Sequence, residues 1–343
     1  MAGLSRTALA TIVLLGLLAV LPPIFVWTGN AFYVDLATRL VILGIAATSL
    51  NLILGYGGLI SFGHAAFLGI GAYGVGIPAY HAIFGGFPAV ASFNGFFQVL
   101  LSTGVAALFA LITGAICLRT KGVYFIMITM AFAQMVYYFF VSLSTYGADD
   151  GLVINMRSEV PLIDLNAPLQ LYYLCFASLV AAMLIVRTIV NSRFGMVLQG
   201  AKGNPERMVS MGYNIFRYRL TAYVISGAMA GYAGALLGNF TTFISPDMMD
   251  WTRSGELMFM VILGGAATTL GPVMGATLFI VLEEVLQIVL DWLEPVAEPA
   301  YTALTGRDLQ LEVYWHLPFG IVLILVVLFV RGGLMGLIRG RRD

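Results

Sequence analysis

The chain has 343 residues, of which 60% are hydrophobic and only 10% carry a formal charge. Its mean hydropathy is +0.94, which excludes a soluble domain, because one buried core could not hold so many apolar side chains. The formal net charge is zero, and we expect no nucleic-acid partner.

Long apolar runs predict an all-α, polytopic helical bundle that forms a single transmembrane domain over residues 1–343. The alternation typical of membrane barrels is absent, so only helices can satisfy the backbone in the lipid hydrocarbon. At roughly 20 residues per span, we expect about ten transmembrane or partial helices. The predicted spans are Ala8 to Trp27, Leu36 to Leu54, His64 to Phe84, Phe96 to Leu118, Val123 to Val141, Leu169 to Thr188, Tyr218 to Asn239, Arg253 to Ala267, Gly271 to Leu290 and His316 to Val330.

The positions of the basic residues predict the orientation, because positive charge is retained on the cytoplasmic side of a membrane. With both termini in the cytoplasm, thirteen of the seventeen Lys and Arg residues lie inside. The exceptions are Arg39, Arg157, Arg253 and Arg307. The first apolar run ends in Leu-Pro-Pro without a small-residue cleavage site, so we interpret it as a retained anchor.

The stretch after the second span is unusually rich in glycine, including Gly57, Gly58 and Gly63. Glycine at membrane depth is typical of close helix packing or of an interrupted helix that lines a cavity. Tight packing alone would explain the glycines. The polar side chains of Asn51, Ser61 and His64 in the same stretch favour a translocation pathway, since polar groups in lipid must pair or face water.

Thr129 and Gln134 interrupt the apolar and aromatic fifth span, and both are candidates for the pathway. An amide in a bilayer must find partners, so a hydrogen bond between helices is the simpler interpretation for Gln134. Cys117 and Cys175 lie in apolar runs without metal-ligand spacing and are expected to be buried.

Acidic residues are concentrated in the predicted outer loops. They could simply be solvated, or they could form a docking surface for an external partner of complementary charge. The acids of these loops are Asp149, Asp150, Glu159, Asp164, Asp291, Glu294, Glu298, Asp308 and Glu312.

The stretch from Asn191 to Arg219 is the long polar interruption of the second half, and it is strongly basic. It predicts a short docked helix, with Asn204 as N-cap, Pro205 at the first helical position and Gly212 just after the end. We expect a soluble cytoplasmic partner to bind the membrane protein through this segment.

A second interruption is predicted near Gly264, Gly265 and Gly271, after a span of only about fifteen residues. Paired interrupted helices in corresponding halves are typical of transport proteins. Glu256 and the Glu283-Glu284 pair are ionisable groups in or near these helices and therefore functional candidates. For Glu256, pairing with Arg253 or with a helix N-terminus is the alternative.

Enzyme motifs are missing from the sequence. Neither of the two lysines, Lys121 and Lys202, completes a phosphate loop, and the three histidines are scattered. We therefore predict no catalytic residue and no metal site.

Five ordered blocks between residues 36 and 338 resemble the permease subunit of ABC importers for branched-chain amino acids. They are LNLILGYGGLISFGHAAFLGIGAY, KGVYFIMITMAFAQMVY, FGMVLQGAKGNPERMVSMGYN, YVISGAMAGYAGAL and SGELMFMVILGGAATTLGPVMGATLFIVLEEVLQ. The resemblance implies a bacterial inner-membrane protein that pairs with a second homologous permease subunit. It also implies two cytoplasmic ABC ATPase subunits, which would hold the ATP and Mg, and an external periplasmic substrate-binding protein. The chain itself would bind no cofactor.

The resemblance also implies that residues 191–217 form the cytoplasmic coupling loop, whose short helix sits in a groove of the ATPase. The expected coupling residues are Lys202, Asn204, Pro205, Glu206, Arg207 and Gly212. Gly203 stands where the family commonly has an acid, and Met208 and Val209 stand where it has an alanine and a glutamate. These departures bear on which ATPase fits.

Other functions stay open at this point. Relatives of this kind also serve urea, amides and aromatic or other carboxylates. A proton-coupled secondary transporter would use Glu256, His64 or Glu283 as its titrating group, and a structural membrane scaffold would carry no solute.

Overall fold

A computed structural model describes residues 6–161, 163–305, 316–329 and 332–339. Eight of the described helices are long and apolar enough to cross a membrane, which confirms the prediction of an all-α, multi-pass membrane protein. Arg307, Asp308, Glu312, Arg331, Arg341 and Arg342 lie outside the described residues.

The described helices follow the predicted spans closely. They are α1 (Arg6–Trp27), α2 (Ala31–Asn51), α3 (His64–Phe84), α4 (Gly95–Cys117), α5 (Val123–Val141), α6 (Pro168–Asn191), α7 (Arg193–Gly203), α8 (Pro205–Ser210), α9 (Ile215–Thr241), α10 (Trp251–Gly264), α11 (Gly271–Thr305), α12 (His316–Phe329) and α13 (Gly333–Arg339).

Some helices extend beyond the apolar runs that predict them. Helix α11 continues to Thr305, although its predicted span ends at Leu290. Helix α9 begins at Ile215 rather than Tyr218, because Asn214 caps it by accepting a hydrogen bond from the Arg217 N–H. Hydropathy marks only the part of a helix that lipid can cover, whereas the backbone hydrogen bonds continue past it.

Helices α2, α3 and α9 form the centre of the bundle. The most apolar stretch of α2 is 78% buried, whereas that of α1 is 11% buried. Helices α3 and α9 pack at backbone distance: a Cβ atom added at Gly234 would lie 1.8 Å from the Leu68 carbonyl oxygen. Small residues therefore bring the central helices together, and the outer helices keep an apolar face for lipid.

The first interruption separates α2 from α3. Helix α2 ends at Asn51 and passes into a π-helical turn, Leu52–Tyr56, before the chain leaves the helix and restarts at His64. Gly57, Gly58 and Gly63 all lie in this gap. A π-turn leaves backbone carbonyls without regular helical partners and often marks a functional position.

The second interruption separates α10 from α11. Helix α10 has only 14 residues, ends at Gly264 and is followed by Gly265 with a φ of 111°, which favours glycine. The chain turns so tightly that a Cβ atom on Gly264 would lie 1.7 Å from the Gly271 carbonyl oxygen. Helices α10 and α11 therefore form a hairpin, with α10 as a partial span.

At the carboxyl end of α9, a short β-ribbon joins two connections. Strand β1 (Leu152–Val153) pairs antiparallel with β2 (Phe243–Ile244). After β2, a 3-10 turn, Pro246–Met249, packs on α3 and leads into α10.

Candidate functional site

Asn51, the last residue of α2, ties the two interruptions together. Its side-chain oxygen accepts a hydrogen bond from the Ala267 N–H at 3.0 Å, and its amide nitrogen donates to the Thr268 carbonyl at 2.8 Å. Asn51 is fully buried. The carboxamide thus acts as an extra peptide unit, which satisfies backbone groups left free between α10 and α11.

The start of α3 carries the next polar contacts. His64 is fully buried, and its Nε2 lies 2.8 Å from the Ser49 hydroxyl on α2. The Ser226 hydroxyl on α9 donates to the Ser49 carbonyl. These bonds connect the three central helices, so the observed contacts of His64 are structural.

Ser61 and Thr129 accept hydrogen bonds from the non-helical backbone just before α3. The Gly63 N–H donates to the Ser61 hydroxyl, and the Phe62 N–H donates to the Thr129 hydroxyl on α5, each at 3.3 Å. Both side chains are buried. Thr129 and Ser61 therefore give the non-helical backbone the partners that lipid cannot supply.

Gln134 on α5 contacts the beginning of the partial helix α10. Its amide nitrogen donates to Asp250 Oδ1 at 2.6 Å, and the other carboxylate oxygen of Asp250 accepts from the Thr252 N–H and caps the helix. The Ser254 hydroxyl accepts from the Ala65 N–H of α3. The sequence suggested a hydrogen-bonding role for Gln134, and the structure supplies Asp250 as its partner.

Two ion pairs lie among the helices of the described residues. Arg253 Nη1 donates to both oxygens of Glu256, at 3.1 and 2.9 Å, within α10. Arg39 Nη2, on α2, donates to both oxygens of Glu283 on α11, at 3.1 and 3.2 Å. Arg39, Arg253 and Glu256 line one cavity. The predicted alternative for Glu256, an ion pair with Arg253, is thus what the structure contains.

The predicted coupling loop, residues 191–217, contains two capped helices. The Ser192 hydroxyl accepts from the Gly195 N–H at the start of α7, and Asn204 Oδ1 accepts from the Arg207 N–H at the start of α8. Pro205 occupies the first position of α8, and Gly212, with a φ of 87°, follows its end. The local sequence signals thus define α8 directly.

Helix α7 is bonded to the membrane helices at its carboxyl end. Lys202 Nζ donates to the Gly55 carbonyl in the π-turn at 2.7 Å, and its aliphatic stem covers Gly58. Arg219 Nη2 on α9 donates to the Ala201 carbonyl at 3.0 Å. Lys202 therefore joins the coupling loop to the first interruption, a contact that the sequence does not predict.

Helix α8 and the residue that follows it present a mixed charged and apolar surface. Val209 and Met211 are 60% and 63% exposed, and Glu206 and Arg207 are also exposed. Apolar side chains of this size beside charged groups are typical of a surface that contacts a protein partner.

The structure brings Asn51, Ser61, His64 and Thr129 together around the first interruption, while Gln134 and Glu256 belong to the contacts of α10. Sequence reasoning missed Ser49, Asp250 and Arg39 as partners. An arginine inside an apolar stretch was the available signal for Arg39, and an aspartate just before a helix, a usual N-cap position, was the available signal for Asp250. Cys117 and Cys175 are buried and free, as predicted.

Comparison with known proteins identifies one family, whose model matches most of the chain. Residues 32–328 match the family described as branched-chain amino acid transport system / permease component. The high-affinity branched-chain amino acid transport system permease protein LivM of Salmonella typhimurium is 24% identical over 301 residues, 79% of this chain and 66% of its own. LivM of Escherichia coli is 24% identical over 307 residues, 80% of this chain and 68% of its own.

A third relative is the nucleoside ABC transporter permease protein NupC of Lactococcus lactis subsp. cremoris, 27% identical over 126 residues, 32% of this chain and 40% of its own. No solved structure matches the chain.

The chain spans about two thirds of the length of the two LivM relatives. The family match covers nearly all the membrane helices, including both interruptions and residues 191–217. The chain belongs to the permease family of branched-chain amino acid transport systems.

Proposed function

We propose that this chain is the permease subunit of an ATP-driven ABC importer that moves branched-chain amino acids or related small amino-acid-like solutes across the bacterial inner membrane. The observation that supports the proposal is the Lys202 contact with the Gly55 carbonyl, which connects the exposed loop of α7 and α8 to an interrupted membrane helix. A motor protein outside the membrane requires such a connection to act on the pathway.

In this proposal, ATP and Mg bind to two cytoplasmic ATPase subunits and not to this chain. A second homologous permease subunit completes the membrane part, and a periplasmic binding protein delivers the solute. Both termini and residues 191–217 lie in the cytoplasm. The exposed Val209 and Met211, with Arg207 beside them, give α8 the surface that an ATPase groove would cover.

Closure of the ATPase dimer would move α8, and α7 would transmit this movement to the π-turn through Lys202 and to α9 through Arg219. Asn51 lies at the beginning of the π-turn and bonds the backbone between α10 and α11. Displacement of the π-turn would therefore alter both interruptions together. ATP acts here only through its different affinity for the two arrangements of the ATPases.

A second candidate keeps the same ABC architecture but changes the solute. The similarity to a nucleoside ABC transporter permease protein favours testing nucleosides beside amino acids. Urea, amides and small or aromatic carboxylates belong to the same test.

A proton-coupled carrier is less well supported. Glu256 and Glu283 are both held by arginines, and His64 is bonded to Ser49.

The deciding experiment is uptake into proteoliposomes that contain the assembled transporter, with the purified binding protein outside and ATP inside. We expect uptake of leucine, isoleucine or valine that requires ATP and survives collapse of the proton gradient. Uptake that continues without ATP and stops with the proton gradient would overturn the importer assignment. Nucleosides and carboxylates offered under the same conditions identify the solute class.

A further inference from the structure

A cavity of about 150 Å³ lies between α2, α3, α9, α10 and the 3-10 turn before α10. Most of its wall is apolar. The apolar lining residues are Leu43, Leu68, Leu237, Met248 and Leu257. Thr241, the last residue of α9, also lines the cavity, which therefore lies at the end of the bundle away from the coupling loop.

Charged groups of both signs lie on the wall of this cavity. Arg39, Arg253 and Glu256 line it directly, and Glu283 pairs with Arg39 from α11. The side chain of Glu283 is only 10% exposed. Charged groups inside a membrane protein are costly and usually mark a solute or ion pathway. The two arginines and two glutamates balance, so the group is electrically neutral.

In each ion pair, the glutamate uses only part of the hydrogen-bonding capacity of its arginine. A single guanidinium nitrogen serves both carboxylate oxygens in each pair, Nη2 for Arg39 and Nη1 for Arg253. The strongest arginine–carboxylate geometry uses two nitrogens in parallel. A ligand carboxylate could therefore bind a guanidinium without first displacing the glutamate.

We propose that this cavity is a transient binding site for a zwitterionic amino acid with an aliphatic side chain. The α-carboxylate binds the guanidinium groups of Arg253 and Arg39, the α-ammonium donates to Glu256, and the aliphatic side chain packs against the leucines and Met248. An apolar pocket with a few convergent polar groups is the usual form of a small-molecule site.

The cavity volume agrees with the aliphatic side chain of this ligand, and the charges on its wall agree with the head group. A cavity of about 150 Å³ in a protein core holds a molecule the size of benzene, which is the scale of a leucine side chain. A zwitterion adds one charge of each sign, so the neutral set of four side chains stays balanced and no charge is left unpaired. Binding to a pathway must also be weak enough to allow release.

This site rests on the proposed function, because a zwitterion has to reach the membrane from outside. Its test is therefore a binding measurement that needs no ATPase. The full-length chain, purified in nanodiscs with the membrane partner that copurifies, is titrated with radiolabelled leucine without the binding protein. Unlabelled 4-methylpentanoate, which lacks the ammonium group, and isoamylamine, which lacks the carboxylate, serve as competitors.

We expect leucine to bind and neither competitor to displace it at equal concentration. Glu256→Gln removes the partner of the ammonium group and should weaken leucine binding by about tenfold, the loss of one charge-assisted hydrogen bond. Leu43→Trp fills the cavity, retains all four charges and should also abolish binding. Glu284→Gln makes the same change of charge next to Glu283 but outside the cavity lining. Its affinity for leucine should stay within about twofold of that of the unmodified chain.

Three outcomes distinguish failure of the proposed binding site from failure of the proposed importer function. Leucine uptake by the assembled transporter without leucine binding in nanodiscs overturns the site and leaves the importer standing. Equal binding by the Leu43→Trp and Glu284→Gln variants also overturns the site, even if Glu256→Gln fails to fold. Leucine binding with no ATP-dependent uptake supports the site and overturns the importer function.

Discussion

The side-chain oxygen of Asn51 accepts a hydrogen bond from the backbone N–H of Ala267, although the two residues are 216 positions apart in the chain. The same side chain donates to the Thr268 carbonyl. One asparagine therefore fixes the end of α2 against the turn between α10 and α11. Both interruptions of the bundle depend on this contact.

Replacement of Asn51 tests this dependence. Asn51→Leu leaves the Ala267 N–H and the Thr268 carbonyl without their partner in a buried position, and each orphaned group costs about 1–3 kcal/mol. We expect a clearly lower midpoint of thermal unfolding in detergent.

The matched control for Asn51 is Thr48→Val. Thr48 Oγ1 is buried and has no hydrogen-bond partner within the described residues. Its replacement by valine removes no bond and should leave the midpoint unchanged or raise it. Equal midpoints for Asn51→Leu and Thr48→Val would show that the asparagine contributes nothing to stability.

Replacement of Lys202 tests transmission from the coupling loop. Lys202→Met keeps an unbranched stem over Gly58 but removes the ammonium group that donates to the Gly55 carbonyl. A hydrogen bond from a charged group contributes about 1.5–3 kcal/mol, so solute moved per ATP hydrolysed should fall by about tenfold or more.

ATP hydrolysis and solute uptake are measured together in proteoliposomes for this variant. Lys121→Met is the control, because Lys121 is the other lysine of the chain and is exposed between α4 and α5. A Lys202→Met transporter with the normal ratio of uptake to hydrolysis would refute the proposed route.

The end of α8 gives a third prediction. Gly212 has a φ of 87°, so Gly212→Val strains the backbone where the coupling helix stops. Glu206→Gln removes an acid from the first turn of the same helix, where it stabilises the helix dipole. Either change should uncouple ATP hydrolysis from uptake while solute capture by the binding protein stays normal.

Gly104→Ala, on α4 and outside residues 191–217, is the matched control for the coupling helix. A Cβ atom there meets nothing within 4 Å, and no positive φ hinders it. Loss of solute capture in the Gly212→Val variant would contradict a role confined to coupling.

Orientation in the membrane is tested by cysteine labelling. Ser210→Cys places an exposed thiol on α8, and Asp164→Cys places one in the connection before α6. The native Cys117 and Cys175 are buried and should not react. A membrane-impermeant maleimide added to intact cells should label only the Asp164→Cys variant. In permeabilised cells it should label both variants. Labelling of Ser210→Cys in intact cells would reverse the proposed topology.

Local signals in the sequence predict a large part of the fold. Asn204, Pro205 and Gly212 define α8 because capping, the first helical position and a positive φ each depend on a few neighbouring residues. The glycines at residues 57–63 and 264–271 mark the interruptions because a missing Cβ is itself a local property. Lys202 is different, because nothing near it in sequence indicates that its amine reaches Gly55.

The sequence by itself determined that lipid surrounds this chain and where two of its helices break, since hydropathy and glycine content act within a single segment. It predicted about ten transmembrane or partial helices, whereas eight of the described helices are long and apolar enough to cross a membrane. Only the tertiary structure decided which polar groups meet. Arg39 and Glu283 are 244 residues apart and pair because α2 and α11 lie side by side. In a medium without water, each buried charge or amide must find its partner on whichever helix packs against it, and that neighbour is set by the packing of the whole bundle.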